Sequence, residues 1–380
     1  MAIETRPDTN QELPEESPYD ALMAYGKERG YKLDWLQQQD SWGSRPDIGD
    51  TDSGGFQLQD ADLGAFSQVP DSSNNATGKP RGAIQRDSAP RVGNYPIRTK
   101  SDIWLRNGAQ LYEEAIQRQW SSATDIPWDS LEELPDEIER AECQLATFLT
   151  EIEFVAGDVP GRWISYTTPD YYEPRMYLIS QIMDEARHLD VFRKRALANG
   201  GGLMEQQRSN AAVRSVIDSA RDFTEMSARL HIAGEGSVLS VFRMGELMSY
   251  NEAEKSIYRL AASDESRHVA FGVMHLQYVS QTDPDRKEEI HTYLDDIEIG
   301  LTRQADPQNP AVRGTASNTA ISILMGGGAD DKSIEEGQKV LLAVRARQVK
   351  EYMQRVRVAG FGERFENGRA NAALDDYLSA

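Results

Sequence analysis

From Ser101 onward the apolar residues return every third or fourth position, the spacing that gathers them on one face of an α-helix. A first helix is expected over 101–120, opened by Ser101 and Asp102 and carrying Ile103, Leu105, Leu111, Ala115 and Ile116 inward. Pro135, followed by Asp136 and Glu137, opens a second that runs to about Ala156, with Ile138, Leu145, Phe148, Leu149, Ile152 and Val155 on one side. The stretch GDVPGRWISYTTPD breaks the pattern, because proline removes a helical donor and clashes with the preceding turn. Helical spacing resumes over 171–197, stops at NGGG, and returns over about 210–249, 252–280, 284–302 and 333–358. No segment alternates at period two, so the expected class is all-α.

The first hundred residues differ. One amphipathic segment near 17–29 precedes a long polar stretch rich in Gly, Asp, Ser and Pro with neither helical nor strand periodicity. Such a stretch buries too little apolar surface to offset its own ordering entropy. It is either a flexible arm or an extended arm laid over its own core or a partner, with Trp35, Trp42, Phe56 and Phe66 as anchors. Three regions are therefore expected: an irregular, extended arm over 1–100, a helical bundle over 101–305, and a C-terminal helical extension and tail over 306–380.

Charge narrows the function classes. Against 41 Lys and Arg stand 62 Asp and Glu, a net charge of −21. That disfavours nucleic acid or an anionic membrane as the main partner, since phosphate neutralisation needs clustered cations. The single cysteine, Cys143, excludes an intrachain disulfide and any multi-cysteine zinc or iron–sulfur site. The longest apolar stretch, 319–325, is too short to span a bilayer, and the N-terminus lacks a basic-then-apolar leader. A cytoplasmic protein is expected.

The candidate chemistry lies in a repeated pentapeptide. Asp184-Glu185-Ala186-Arg187-His188 and Asp264-Glu265-Ser266-Arg267-His268 share D-E-x-R-H, eighty residues apart. Ordinary residue frequencies would produce two copies on the order of once in 100,000 such chains. Both fall mid-helix, so Glu and His at i and i+3 project from one face. A Glu-x-x-His on each of two helices, with one Glu from each of two others, is the general construction of carboxylate-bridged dimetal sites in ferritin-like four-helix bundles. The additional glutamates should mirror the repeats across the intervening turns. Glu235 mirrors Glu265 about Tyr250; Glu151 and Glu153 both mirror Glu185, about Thr168 and Pro169. Flanking Phe148, Phe154 and Val155 favour Glu151 as the inward residue, with Glu153 the alternative. Four buried glutamates repel one another and must either protonate or be neutralised, and two divalent cations would balance them. Oxygen and imidazole donors suit Fe or Mn.

Neighbouring residues have roles in the same scheme. A metal-bound His normally donates its other ring N–H to a carboxylate. Asp184 and Asp264 are candidate acceptors, each for the histidine of the opposite helix, with Arg187 and Arg267 holding them. His231, one turn before Glu235, is either an additional ligand or a hydrogen-bonded interior residue; His275, two turns after His268, is not expected to be functional, and His291 is read as surface. Gly234 and Gly236 bracket Glu235 inside a helix, where each glycine costs roughly 0.5–1 kcal/mol relative to alanine. Either a π-bulge at the metal or close helix–helix contact would account for them. Leu189, Phe192, Val238, Leu239, Val269 and Phe271 lie near the ligand turns, and Phe192, Leu239 and Phe271 are the candidate substrate-pocket residues. A direct hairpin after 201 would face Glu185 with a position near 217, so Glu235 lies about 27 Å too far along at 1.5 Å per residue. A crossover over about 204–221 is expected.

The segments QIMDEARHLDVF and LAASDESRHVAFG, with LHIAGEGSVL ahead of the second, resemble the di-iron oxygenase branch of the ferritin-like superfamily. The second copy is most similar to hydroxylase α-subunits of bacterial multicomponent monooxygenases of the toluene, phenol and methane types. The resemblance spans roughly residues 135–280. It implies a ferritin-like four-helix bundle core with additional helices. It implies two Fe ions, or Mn/Fe, held by Glu151, Glu185 and His188 on one side and Glu235, Glu265 and His268 on the other. It further implies activation of O2 to oxidise, foremost to hydroxylate, a small organic substrate, with electrons from a separate reductase or ferredoxin in a homo- or hetero-oligomer. The chain departs from the pattern at Leu239, where those hydroxylases carry Thr. It also departs from two related groups, at Phe192, where ribonucleotide reductase small subunits carry a radical Tyr, and at Ala261, where arylamine N-oxygenases carry an extra His. N-oxygenation, another oxidase activity and ferritin-like iron storage are the alternative functions. The Arg-rich helix with Arg345, Arg347, Lys350, Arg355 and Arg357, and the N-terminal arm, are the candidate docking surfaces.

Overall fold

The computed structural model describes residues 18–31, 43, 55–61, 68–206, 209–305 and 315–377. Among them the secondary structure is helical, and β pairing is limited to isolated bridges joining Ser72 to Thr99 and Ile97 to Thr167. No helix among the described residues is long and apolar enough to cross a membrane. The principal helices are α1 (Pro18–Glu28), α2 (Gly108–Gln117), α3 (Asp136–Ile164), α4 (Tyr172–Leu197) and α5 (Ser209–Asp218). A continuous rod follows, here α6, built from Phe223–Ser227, a π-helical stretch Ala228–Glu235 and Gly236–Met248. Then come α7 (Glu252–Thr282), α8 (Pro284–Ala305), α9 (Ala316–Gly326) and α10 (Asp331–Val356).

Four of these position the site. α3 turns directly into α4, and α6 into α7, so each pair is antiparallel; α4 packs on α7 and joins the pairs. The stretch between α4 and α6, containing α5, is the crossover, and α5 lies against α3. α3 runs past the break expected at Pro160 and ends at Ile164. Its last turns bury Val159, Pro160 and Trp163, and that burial outweighs the donor the proline lacks. α9, which contains the apolar stretch 319–325, carries buried Ala320, Ile321 and Leu324.

α4 is fastened at both ends. At its start, Asp71, Ser73, Asn75, Arg81, Ile97 and Arg98 of the N-terminal region bond the α3–α4 turn or the first turn of α4. Ser73 and Asn75 donate to the Asp170 carboxylate at 2.5 and 3.0 Å, and the Tyr171 hydroxyl donates to the Arg98 carbonyl at 2.9 Å. Arg81 forms a buried ion pair with Glu173 at 2.5 Å. This part of the N-terminal region therefore follows the extended path over the core. Of the expected anchors Phe56 is exposed, and Trp35, Trp42 and Phe66 lie outside the described residues.

At the other end Arg195 binds Glu139 of α3 at 2.7 Å and Glu254 of α7 at 2.6 Å. Glu142 is buried beside this group, and burial, reinforced by the Glu254 charge, pushes its carboxyl well above the ordinary 4.5. Its unfolded form therefore loses a proton that the folded form keeps. The associated stability is fully present below the unfolded value and is lost as pH rises through the folded one. Glu142→Gln should flatten the decline in melting temperature with rising pH and raise the melting temperature at pH 8. Parallel thermal melts of both proteins from pH 5 to 9 check this; equal slopes would refute the buried neutral carboxyl.

Candidate metal centre

α3 contributes Glu153, α4 Glu185 and His188, α6 Glu235, and α7 Glu265 and His268; all six are buried. They form two groups, Glu153–Glu185–His188–Glu265 and Glu185–Glu235–Glu265–His268, in each of which the ligand-type atoms lie within 4.8 Å of one another. Glu185 and Glu265 belong to both. Each imidazole turns Nδ1 toward the carboxylates. His188 Nδ1 lies 3.2 Å from Glu185, 3.5 Å from Glu265 and 4.0 Å from Glu153. His268 Nδ1 lies 3.1 Å from Glu185, 3.5 Å from Glu265 and 3.9 Å from Glu235.

The flanking apolar residues favour Glu151, but the structure brings the alternative, Glu153, into the cluster and leaves Glu151 half-buried outside both groups. The reason is local: Phe154, which made that side look apolar, is 53% exposed. An aromatic residue does not by itself mark the inward face.

The outer layer is crossed between the helices. His188 Nε2 donates to Asp264 at 3.2 Å, and His268 Nε2 donates to Asp184 at 3.2 Å. Arg187 bridges Asp184 and Asp264 at 2.5 and 3.0 Å, and Arg267 does the same from the other side. Asp264 also accepts from Trp120 Nε1 at 2.7 Å, and Gln181 Nε2 donates to Glu235 at 2.8 Å. Neither Trp120 nor Gln181 is singled out by the sequence pattern. Gln181 was findable, since it stands one turn before Glu185 on the same face; Trp120, in a connector, offers no periodic signal.

Comparison of the sequence with models of protein families and with characterised proteins finds no match. The chemistry of the site therefore rests on its own residues.

Burial pushes the Glu153 and Glu235 carboxyls well above the usual range, and neighbouring charges (Glu185 for Glu153, Glu265 for Glu235) add to this. Burial also opposes ionisation of Glu185, but the two histidines outweigh it and hold that carboxyl low. His188 is raised despite burial, by Asp264, Glu185 and Glu265, and His268 is raised despite burial, chiefly by Tyr177, Glu185 and Asp184. These directions favour the protonated forms of Glu153, Glu235, His188 and His268. Several atoms of the cluster still have no hydrogen-bond partner among the described residues: Glu153 Oε1, Glu185 Oε1, Glu235 Oε2, both oxygens of Glu265, and His268 Nδ1. Orphaned buried carboxylate oxygens are costly. Gathered within ligand distance of one another, they fit a pair of cations that would take their lone pairs, and the donor set is one that could hold metal.

The other candidates are dispersed. His231 is buried and outside both groups; its Nδ1 bonds the Ser227 hydroxyl at 2.8 Å, and burial together with the His268 charge takes it down to about 3. It is a neutral interior histidine. His275 bonds Thr224 and the Trp104 carbonyl. His291, expected at the surface, is buried against Arg364 because α8 packs under the C-terminal segment. Phe192, Leu239 and Phe271 fall in three different apolar clusters. A cleft of about 600 Å³ lies between α6, α9 and α10, lined by Met244, Leu247, Met248, Met325 and Val344 among others, and contains none of the three. Gly234 lies inside the π-helical stretch, whereas a Cβ on Gly236 would sit 2.5 Å from Arg355. Both explanations for the glycine pair therefore apply, one to each.

Proposed function

We propose that this chain is a di-iron oxygenase built on a ferritin-like four-helix bundle, and that it activates O2 to hydroxylate a small organic substrate. The observation that carries the reading is the pair of buried Glu/His groups sharing Glu185 and Glu265. Two residues common to both groups are what a bridged pair of ions requires, and one Glu and one His remain for each ion. Glu153 and His188 would complete one position, Glu235 and His268 the other.

Bound iron would supply the electrons that reduce dioxygen and the means of transferring an oxygen atom to the substrate. The protein supplies geometry and exclusion of water. Asp264 and Asp184 keep the Nε2 protons of His188 and His268, which leaves Nδ1 of each ring aimed inward. Gln181 orients Glu235 by holding one of its oxygens. Phe242 stands edge-on to His188 at 6.1 Å between ring centroids, and Phe271 stacks on Tyr177 at 4.9 Å. A dry interior strengthens each of these electrostatic interactions.

Anaerobic Fe(II) loading with metal analysis, followed by one pulse of O2 in the presence of candidate substrates, tests the proposal. Oxidation of the protein-bound iron with an oxygenated product supports it; wild-type protein that binds no iron refutes it. Asp264→Asn supplies a finer check. It removes the charge that serves His188, Arg187, Arg267 and Trp120 together, and metal affinity should fall by roughly 10–100-fold, the usual loss for an outer-shell partner. A metal titration compared with wild type measures it.

A further inference from the structure

One face of α10 holds α6 around the end of its π-helical stretch, with one contact inside the stretch and two just beyond it. Arg355 Nε donates to the Ile232 carbonyl at 3.1 Å, Gln348 Nε2 donates to the Ser237 carbonyl at 3.0 Å, and the Ser240 hydroxyl donates to Glu351 at 2.6 Å. Positions 348, 351 and 355 recur at helical spacing, so the three side chains project from the same side of α10. Their contacts on α6 bracket Glu235, which closes the π-helical stretch.

Arg355 is an unusual choice for a packing contact. Burial pulls its guanidinium down to about 10, no carboxylate is bonded to it, and Nη2 has no acceptor among the described residues. Burying such a group is unfavourable unless its hydrogen bonds matter. It is seated where Gly236 carries no side chain, and a Cβ there would meet Cζ, Nη2 and Nε at 2.5–2.7 Å. A π-helical turn is rarer than an α-turn and persists where its surroundings hold it.

We propose that α10 is a clamp on this stretch, and that Arg355 and Gln348 act as positioning residues for Glu235, so that one half of the cluster depends on the C-terminal helix and the other does not. The dependence of a metal position on the clamp rests on the dimetal reading above; the clamp itself does not. The half that depends is Glu185–Glu235–Glu265–His268. Glu153, on α3, is reached by none of the three contacts.

Anaerobic Co(II) titration followed by ligand-field absorption resolves the two binding steps. Arg355→Met should weaken one step by roughly 10–100-fold and leave the other as in wild type. Arg355→Lys, which keeps a donor for the Ile232 carbonyl, should recover part of the loss. In a Glu235→Ala background, where that half is already broken, Arg355→Met should add nothing further, as coupling through a shared residue requires. Equal weakening of both steps, or of neither, overturns the proposal. Hydrogen exchange on the metal-free proteins gives a readout independent of metal. Amides of residues 235–240 should exchange about tenfold faster or more in Arg355→Met than in wild type, with α3 unchanged. Unchanged exchange there removes the clamp. If wild type takes up no Co(II), the dimetal reading fails and hydrogen exchange alone decides whether the clamp stands. Should Arg355→Met not fold, Gln348→Leu is judged by the same measurements.

Discussion

Glu265→Ala will lower metal loading from about two ions per chain to about one or none, because the residue would serve both positions of the proposed dinuclear site. The effect is large for a reason of charge as well as geometry. Four buried glutamates balance two divalent cations; with three, a second cation would sit uncompensated in a dry interior. The metal-free variant should still fold, since losing one of four mutually repelling carboxyls relieves repulsion while leaving only a local cavity. Glu153→Ala should also lose metal, whereas Glu151→Ala should retain about two ions, as expected for a residue outside a site of this construction. Metal analysis after anaerobic Fe(II) loading and desalting reads all three. Full loading of Glu265→Ala, or loss of metal from Glu151→Ala equal to that from Glu153→Ala, would falsify this assignment.

The second large effect concerns electrons. Under the proposed oxygenase activity the protein would return to its reduced state only when two electrons are supplied after each turnover, a requirement of the reaction's balance when one oxygen atom enters the substrate and the other leaves as water. The chain has one cysteine, Cys143, which is buried, and its described residues form no strand on which a Gly-rich nucleotide turn could sit. NAD(P)H alone should therefore give no multiple turnover, while chemically reduced protein should complete a single one. Addition of a reductase or ferredoxin of matching specificity should restore steady product formation. Of the Arg-rich helix, Arg347, Lys350 and Arg357 face outward, whereas Arg345 bonds Asn318 and Arg355 turns in to α6. A donor using that outward face should bind more weakly as salt rises through about 0.1 M, where the screening length is near 10 Å. Continuous NAD(P)H-driven product formation by the purified chain alone would sink the inference.

The all-α class was legible in the sequence because helical burial leaves a three-to-four repeat that survives without any knowledge of partners. The same periodicity carried the paired Glu-x-x-His segments and the aspartates and arginines within them, since residues three apart on a helix share a face whatever that helix packs against. The length mismatch between the two halves likewise required a crossover, and α5 lies in it. What tertiary structure decided lies where a choice between neighbouring faces depends on a second helix. Glu151 and Glu153 are separated by slightly more than a half-turn, about 200°, and only the packing of α3 on α4 places Glu153 inside. Pro160 ends a helix in isolation but not where it is itself buried between Val159 and Trp163. Trp120 reaches Asp264 from a connector, and Arg355 reaches the Ile232 carbonyl from a helix more than a hundred residues away in sequence. Local spacing determines what a helix presents on each side; which side meets a partner is set by contacts distant in the chain, and those leave no period to read.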